Sequence, residues 1–339
     1  MKAVLIERPS EDLSGLGTGM VAEPVAAPGE VVVAMEAACL NPVDWKLATT
    51  GIPAWTYPHV PGLDGAGTIL AVGEGVGNFA IGDRVVWHGD LSRAGVFAEQ
   101  AAVPAHVLSH MPSGVGFLAA AAVPCAGYTA YQALIRKARI GPGDTVVIQG
   151  AAGAVGGFGV QIAAQAGARV IALARADAAQ RVRALGAHEV LEARDADLAA
   201  KVRALTDGYG ADTYLEIANP GDARRSLALL RFNGQLLVVD PPAVMDEVPV
   251  FSTGAGIHEV ALGAAYLAGH LPTQRDFALI GDAMMEKLAR GRLDPLIAAA
   301  IDLDAVPGEL KRLRGGGIGG KIVVAIGARA AAERAARGA

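Results

Sequence analysis

The sequence predicts an α/β protein in which a β-rich domain precedes a doubly wound parallel sheet. The 339 residues correspond to about two domains at roughly 150 residues each. Up to about residue 115, short β-branched runs alternate with clusters of Gly, Pro and Asp, which is typical of strands and turns. From about residue 117, strand-like and helix-like segments alternate instead. This rhythm predicts parallel βαβ units with helices on both faces of a sheet.

The individual elements follow from the same patterns. In the N-terminal part, β-branched runs predict strands at 31–35, 68–72 and 84–87. In the central part, the alternation predicts strands at 146–149, 170–174, 190–191, 214–217 and 235–239, and helices at 153–167, 178–185, 198–205 and 223–230. We expect helix with short breaks at 275–313, a closing strand at 321–326, and a frayed helix or disorder in the Ala- and Arg-rich tail, 327–339.

Composition excludes several classes of function. Hydrophobic residues make up 52% of the chain and charged residues 19%, which excludes a largely disordered protein. A formal net charge of −5 argues against a nucleic-acid partner, because phosphate contacts need clustered Lys and Arg. The most apolar stretch, 117–135, is broken by Pro124, and Glu7 interrupts the apolar start, so neither a membrane span nor a signal peptide is expected. Cys39 and Cys125 alone provide no disulfide framework, and a reducing cytoplasm is the expected compartment.

A glycine-rich turn carries the strongest functional signal. The segment Gly150-Ala151-Ala152-Gly153-Ala154-Val155-Gly156-Gly157 lies between a predicted strand and a predicted helix, as in dinucleotide-binding turns, with Ala151 in place of the first glycine of the usual motif. We expect Gly153 to let the backbone approach a pyrophosphate and Gly156 to allow close packing of the helix. A tight turn without a ligand is the alternative. The cofactor-binding residues predicted here are Ala152, Gly153, Ala154, Val155 and Gly156.

The end of the next strand bears on which nicotinamide cofactor binds. An acidic residue roughly 20 positions after the glycines would accept the ribose hydroxyls of NAD. Here the strand leads to Ala174 and Arg175, and Arg175 is a candidate partner for the 2′-phosphate of NADPH, with Arg181 as a second. NADPH is therefore favoured over NADH. Asp177 is the counter-argument, because a longer strand would bring its carboxylate to the ribose.

Further short motifs follow one another along nearly the whole chain. They are Asn41-Pro42-Val43-Asp44, Pro61-Gly62-Leu63-Asp64-Gly65-Ala66-Gly67, Gly82-Asp83-Arg84-Val85, Gly95-Val96-Phe97-Ala98-Glu99, Gly127-Tyr128-Thr129-Ala130-Tyr131, Gly141-Pro142-Gly143-Asp144 and Gly320-Lys321-Ile322-Val323-Val324. In their order and spacing, together with the glycine-rich turn, the chain resembles the medium-chain dehydrogenase/reductase superfamily. Within it, the chain is similar to the zinc-independent, zeta-crystallin-like quinone oxidoreductase branch.

The resemblance implies a GroES-like catalytic domain and a Rossmann domain that binds NADPH, with the active site in the cleft between them. On this basis residues 1–122 and 266–328 form the catalytic domain, 123–265 form the Rossmann domain, and 329–339 are a tail. The resemblance also implies a homodimer joined through edge strands of the Rossmann sheets.

The resemblance provides a test for a catalytic metal. Zinc-dependent members use a Cys, a His or neighbouring Glu, and a second Cys; at those positions this chain has Asn41, Leu63 with Asp64, and Cys125. The seven histidines are scattered through the sequence, and their spacing indicates no further ligand. Because one thiol and one carboxylate do not make the three protein ligands of a catalytic zinc, no metal is expected.

Without a metal, hydrogen-bond donors or position alone have to activate the substrate carbonyl. The catalytic candidates are Asn41, Asp44 and Tyr128. The Asn41 amide would bond a ribose hydroxyl or the substrate oxygen, or else it closes an Asn-Pro turn. Asp44 would act as an acid or hold that loop, and Tyr128 would line the site or pack in the core.

The substrate pocket is predicted from Trp45, Lys46, Tyr57 and Asp64. Tyr57 is a loose substitute for a tyrosine that is common in the branch that the chain resembles. Asp64 faces the cleft or supports packing. The resemblance further implies cofactor contacts from Thr129, Val239, Asp240 and Gly317, although Gly317 also suits a flexible loop.

Together these residues predict a zinc-independent, NADPH-dependent oxidoreductase that transfers a hydride to a quinone or a related electrophilic carbonyl. Two alternatives stay open. One is an enone or ketone reductase of the same fold, and the other is an NADPH-binding protein that acts by sensing or interaction with little turnover.

Overall fold

The computed structural model describes residues 1–218, 223–239 and 252–338. The chain divides into two compact units, Met1–Tyr128 with Leu262–Ala339, and Thr129–Ala261. The resemblance implies domain boundaries after residues 122 and 265, and the boundaries between the two units fall after residues 128 and 261. Among the described residues, no helix combines the length and the apolar character needed to cross a membrane.

The described residues form strands and helices throughout both units. In chain order the strands are β1 Lys2–Ile6, β2 Leu16–Met20, β3 Glu30–Cys39, β4 Asp64–Val72, β5 Arg84–His88, β6 Gln100–Pro104, β7 Ser109–His110, β8 Thr145–Gln149, β9 Arg169–Leu173, β10 Glu189–Leu191, β11 Ala211–Glu216, β12 Leu230–Val238, β13 Gly256–Glu259, β14 Ile297–Asp302 and β15 Lys321–Ala325. The α-helices are α1 Pro42–Thr50, α2 Phe117–Ala121, α3 Thr129–Tyr131, α4 Ala154–Gln165, α5 Ala179–Ala184, α6 Leu198–Ala204, α7 Ala223–Leu227, α8 Leu262–Leu267, α9 Leu271–Ala289, α10 Val306–Arg314 and α11 Ala328–Gly338. Wider helical turns at Pro124–Tyr128 and Gln132–Lys137 flank α3.

The first unit is built around a seven-stranded, largely antiparallel sheet. Its strands run in the order β14-β15-β3-β4-β5-β7, and β6 also pairs with β3. β1 and β2 form a separate antiparallel pair. The register pairs Cys39 of β3 with Asp64 of β4, and Asp64 in turn with His88 of β5. Residues directly opposite each other project from the same face of a sheet, so these three side chains stand in one row.

The second unit contains a six-stranded parallel sheet in the order β10-β9-β8-β11-β12-β13. Its central strands are short buried runs of β-branched and other apolar residues, as expected where helices cover both faces. The strand order reverses between β8 and β11. The carboxyl end of β8 therefore lies at the switch point where such sheets bind nucleotides. The predicted doubly wound parallel sheet is confirmed.

Two of the predicted secondary-structure assignments are wrong. Residues 297–302, predicted within a helical stretch, form β14, which pairs in parallel with β15. The segment is rich in alanine, so its intrinsic propensity favours helix, and pairing with a neighbouring strand overrides that propensity. The tail, for which the sequence left a frayed helix or disorder open, forms the helix α11, and its Ala330 is fully buried. In the second unit, β12 begins at Leu230, where the sequence predicts the end of a helix.

One carboxylate joins the C-terminal helix to the start of α2. Glu333 accepts hydrogen bonds from the backbone N–H groups of Phe117 at 2.9 Å and of Leu118 at 3.0 Å. The first N–H groups of a helix have no partner within the helix, and Gly116 at the N-cap has no side chain to satisfy them. Glu333 therefore acts as a cap supplied from another part of the chain.

Replacing Glu333 by alanine should lower the free energy of unfolding by about 1–3 kcal/mol, because two N–H groups lose a charged acceptor. Urea unfolding at neutral pH measures the change. Glu286→Ala is the matched control, since Glu286 pairs with Arg290 on an exposed helix surface and its loss should cost less than about 0.5 kcal/mol. Equal losses for the two variants would contradict the capping role.

Candidate active site

The glycine-rich turn follows β8 and leads into α4, in the context that the sequence predicts. Gly150 has a φ of +61°, a left-handed conformation that favours glycine. Gly153 is the N-cap residue of α4. A Cβ on Gly156 would lie 2.3 Å from the carbonyl oxygen of Gly150, so only glycine lets α4 approach the turn this closely. The N–H groups of the first helical turn have no partner within the helix, which suits this turn to an anion.

Arg175 and Asp177, on which the choice between NADPH and NADH depends, follow the carboxyl end of β9. Ala174 is buried directly after the strand. Arg175 follows with 81% of its side chain exposed, and its Nη2 lies 3.0 Å from Oδ2 of Asp177. Arg181 donates from Nη2 to the carbonyl oxygen of Ala152, in the glycine-rich turn, over 2.7 Å. A guanidinium group therefore contacts the turn directly, and a second one is exposed at the end of the neighbouring strand.

The other predicted cofactor residues have different surroundings. Thr129 begins α3 and is buried. Val239 directly follows β12, and its N–H donates to the carbonyl oxygen of Glu216 over 3.0 Å. Gly317 is exposed, with a φ of +80°, in the segment between α10 and β15. Asp240 lies outside the described residues.

A buried polar cluster lies in the first unit and consists of Asn41, Asp44, Asp64 and Lys321, none more than 2% exposed. Asn41 Nδ2 donates to Asp64 Oδ2 over 2.9 Å and to the carbonyl oxygen of Cys39 over 3.3 Å. Asn41 Oδ1 accepts from Lys321 Nζ at 2.5 Å, and the Asn41 backbone N–H donates to Asp44 Oδ2 over 2.7 Å. Lys321 Nζ also lies 3.8 Å from Asp64 Oδ2. The Asn41 amide therefore has neither a free hydrogen nor surface exposure with which to reach a ribose or a substrate.

Burial dominates the protonation states in this cluster. It raises the pKa of Asp44 to about 8; the Asn41 N–H opposes this rise and the Asp64 carboxylate adds to it. Burial also raises the pKa of Asp64 to about 6, against the lowering effects of Lys321 and the Asn41 amide. Burial alone would lower the pKa of Lys321, but Cys39 and Asp64 outweigh it and raise that pKa. At neutral pH a neutral Asp44 thus lies beside a charged Asp64–Lys321 pair.

Asp44 also lines a small pocket in the first unit, here called the Asp44 pocket. Its wall includes Trp55, His59, Leu63, Leu91 and Arg93. Trp55 and His59 stack with their ring centroids 3.9 Å apart, and burial lowers the pKa of His59 to about 4, so this imidazole is neutral. Asp44 Oδ1 is buried and has no hydrogen-bond partner among the described residues. A neutral carboxyl group with an unengaged oxygen is a potential hydrogen-bond donor.

The predicted substrate-pocket residues do not gather around this pocket. Trp45 is half-buried and Lys46 is exposed, both on α1. Tyr57 is 40% exposed, with its ring edge-on to Trp55 at 6.5 Å between centroids. These three residues do not line the Asp44 pocket. Asp64 is fully buried in the polar cluster. Of its two predicted roles, this burial favours support of packing, with charge balance, over exposure in a cleft.

Tyr128 lies in the core of the first unit. It is 0% exposed, and burial raises its pKa above the usual value. A Cβ on Gly281 of α9 would lie 2.4 Å from the Tyr128 hydroxyl and 2.0 Å from Ser109 Oγ, so the hydroxyl faces α9. Of the two roles that the sequence leaves open for Tyr128, these contacts favour core packing.

Three potential metal ligands meet in the same unit. Asp64, His88 and Cys125 each place one ligand atom within 4.8 Å of the others. The sequence-based expectation that the histidines supply no further ligand is therefore wrong for His88, because the pairing of β4 with β5 brings this residue beside Asp64. Cys125 reaches the group from the helical turn Pro124–Tyr128.

The charges around these three residues do not fit a zinc ion. Both Asp64 oxygens already accept hydrogen bonds, Oδ2 from the Asn41 amide and Oδ1 from the Cys125 N–H, each at 2.9 Å. Burial raises the pKa of the Cys125 thiol, which keeps it protonated. A divalent ion and an ammonium group about 4 Å apart repel by roughly 8 kcal/mol at an effective dielectric constant near 20. The residues therefore suit a buried ammonium ion better than a metal.

Sequence reasoning assigned no role to Lys321, His88, Trp55 or His59. A signal for Lys321 is present, because a lysine that opens an otherwise apolar closing strand needs a buried acid as its partner. No local pattern identifies His88, since the register between strands decides which residue it faces.

The fold agrees with comparisons to known proteins. Residues 27–113 match the family described as alcohol dehydrogenase GroES-like domain, and residues 154–267 match the family described as zinc-binding dehydrogenase. A quinone oxidoreductase from Lama guanicoe is 30% identical over 314 residues, which cover 90% of this chain and 91% of that protein. The chain therefore belongs to the medium-chain dehydrogenase/reductase superfamily, in its quinone oxidoreductase-like branch, and it is an oxidoreductase of that class.

Solved structures support the same assignment. An alcohol dehydrogenase superfamily protein from Novosphingobium aromaticivorans superposes with a TM-score of 0.88 at 27% identity, covering 96% of this chain and 100% of that one. A mycobacterial protein complexed with NADPH superposes with a TM-score of 0.83 at 25% identity, covering 96% and 100%. The predicted fold class, a GroES-like β-rich domain plus a Rossmann parallel-sheet domain, is confirmed.

The raised pKa of Asp44 predicts that stability falls as the pH rises. Folded Asp44 keeps its proton up to about pH 8, whereas the ordinary pKa of an aspartate is 3.8. Between these values the folded state binds more protons than the unfolded state, so the free energy of unfolding should decrease with increasing pH. Asp44→Asn removes this titration and keeps an acceptor for the Asn41 N–H. Urea unfolding between about pH 5 and pH 8.5 should show a flatter dependence for Asp44→Asn than for the wild type. Parallel curves would contradict the raised pKa.

Proposed function

We propose that the chain is an NADPH-dependent reductase that transfers a hydride to a quinone or a related electrophilic carbonyl without a metal. The observation that carries the proposal is the glycine-rich turn with cations beside it. The first turn of α4 offers N–H groups to a pyrophosphate, and the exposed Arg175 offers a guanidinium group to a 2′-phosphate. Similar proteins support it, since one relative is a quinone oxidoreductase and a structural neighbour is complexed with NADPH.

The overall reaction consumes one NADPH and one proton per quinone and yields NADP⁺ and one hydroquinone. When bound, NADPH would supply the hydride, and negative charge would then develop on the acceptor oxygen. Asp44 is the group that we propose to stabilise this charge, because this residue lines the Asp44 pocket and its Oδ1 has no hydrogen-bond partner among the described residues.

Absorbance of the nicotinamide band tests the reaction with purified protein and 1,4-benzoquinone, 9,10-phenanthrenequinone or a simple enone. We expect oxidation of NADPH above the non-enzymatic rate, slower oxidation of NADH, and no effect of EDTA. Turnover of the enone alone would favour the enone or ketone reductase of the same fold. NADPH binding without turnover of any acceptor would favour a sensing or interaction protein. The expected homodimer and the cytoplasmic location stay predictions, and analytical ultracentrifugation tests the former.

Arg175→Ala should weaken NADPH binding by about 10- to 100-fold, because a charged hydrogen bond to the 2′-phosphate is lost. NADH has no such phosphate, so its dissociation constant should change by less than about 3-fold. Fluorescence titration measures both cofactors. Arg183→Ala, which removes another exposed arginine from α5, is the matched control and should leave the NADPH/NADH ratio unchanged. Equal losses for both cofactors in Arg175→Ala would remove Arg175 from the phosphate site.

Asp44 variants test the proposed donor. The kcat/KM of the wild type should fall above about pH 8, where Asp44 loses its proton. Asp44→Asn keeps a donor in place of Oδ1 and should abolish that fall, whereas Asp44→Leu should lower kcat by about 100-fold or more at every pH. Circular dichroism at each pH shows that the variants are folded. A kcat of Asp44→Leu equal to that of the wild type would rule out Asp44 as the donor.

A further inference from the structure

Lys321 is the only lysine or arginine that is buried in the described part of the chain. It begins β15, and its ammonium group ends among Asn41 Oδ1 at 2.5 Å, the carbonyl oxygen of Leu40 at 3.5 Å and Asp64 Oδ2 at 3.8 Å. Asp64, which this ammonium group faces, shares a potential ligand triad with His88 and Cys125.

We propose that Lys321 takes the place of a metal ion in this chain: its ammonium balances Asp64 beside His88 and Cys125, and thereby excludes a divalent cation from these three ligands. Lys321 is in this sense a positioning residue. The inference deepens the metal-independent part of the proposed function and rests on it. Its test reads metal binding instead of turnover, so the two can fail separately.

Lys321 balances the charge of the buried Asp64 without a metal ion. Asp64 is fully buried, and a buried carboxylate needs either a cation or a proton. Lys321 Nζ lies 3.8 Å from Asp64 Oδ2 and supplies one positive charge, which neutralises Asp64. The buried pair of Lys321 and Asp64 is thus electrically neutral, and a divalent cation would add two positive charges beside the ammonium group.

The hydrogen bonds around Asp64 also oppose the binding of a metal ion. Lys321 donates to Asn41 Oδ1, which turns the amide so that Asn41 Nδ2 donates to Asp64 Oδ2. That oxygen would have to turn its lone pairs to a metal, but it already faces an amide hydrogen and an ammonium group. Lys321 and Asn41 therefore both contact the Asp64 carboxylate. Removing Lys321 removes both the positive charge and the group that orients the Asn41 amide.

Lys321→Met tests the proposal, because methionine keeps an unbranched apolar chain and removes the charge. Co²⁺ is the probe, since a thiolate ligand gives it a near-ultraviolet charge-transfer band and a tetrahedral site gives it visible absorption. After treatment with chelator, the full-length wild type should bind no Co²⁺ with a Cys125-dependent band. Lys321→Met should bind one equivalent, about 100-fold or more tightly than the wild type, since the repelling charge is gone.

Two matched variants control for other causes. Lys321→Arg keeps the positive charge and should behave like the wild type. Cys125→Ser in the Lys321→Met background should lose the thiolate band, which ties the signal to this cluster. If Lys321→Met does not fold alone, refolding with Zn²⁺ should restore its circular dichroism spectrum, because the ion supplies the missing charge to Asp64.

Three results would overturn the proposal. The first is a stoichiometric, Cys125-dependent Co²⁺ band in the wild type. The second is a folded Lys321→Met protein that binds no Co²⁺ at this cluster. The third is a Lys321→Met protein that stays unfolded even when Zn²⁺ is present during refolding.

Discussion

The ion pair between Lys321 and Asp64 constrains the whole first unit. The two side chains are 2% and 0% exposed, and a buried charge without a partner is costly enough that neither could occupy this core alone. Removing one partner of such a pair typically costs about 3–5 kcal/mol. Lys321 opens β15 near the end of the chain, and Asp64 opens β4 in its first quarter. The pair therefore requires the C-terminal segment to join the N-terminal sheet, as it does through the antiparallel pairing of β15 with β3.

The same pair divides the roles of the polar residues around it. The Asn41 amide accepts a hydrogen bond from Lys321 and donates one to Asp64, so it is part of the charge-balancing cluster. Asp44, held through its Oδ2 by the Asn41 N–H, stays neutral because burial raises its pKa and the one available cation already has a carboxylate. Its other oxygen has no hydrogen-bond partner among the described residues. A site without a metal thus retains a group able to stabilise developing negative charge.

The second unit depends on a backbone constraint instead. Gly150 adopts a left-handed φ, and Gly156 lies so close to Gly150 that a side chain would overlap with its carbonyl. These requirements arise within eight residues of sequence, which is why the turn was predictable. The parallel sheet was predictable for a similar reason, because each buried strand is a continuous apolar run followed by a helix-forming segment. Alanine-rich β14 was not predictable, since its strand pairing opposes its local propensity.

By itself, the sequence determined the fold class, the order of most central strands and helices, and the glycine-rich turn with Arg175 beyond the next strand. All of these follow from short-range steric requirements and from the spacing of apolar residues, and both can be read within about 20 residues of sequence. Only the tertiary structure decided that Cys39, Asp64 and His88 share one row, that Lys321 completes the cluster, and that the Asn41 amide faces inward. The physical reason is that strand register sets which distant side chains meet, and burial then sets which of them carry a charge.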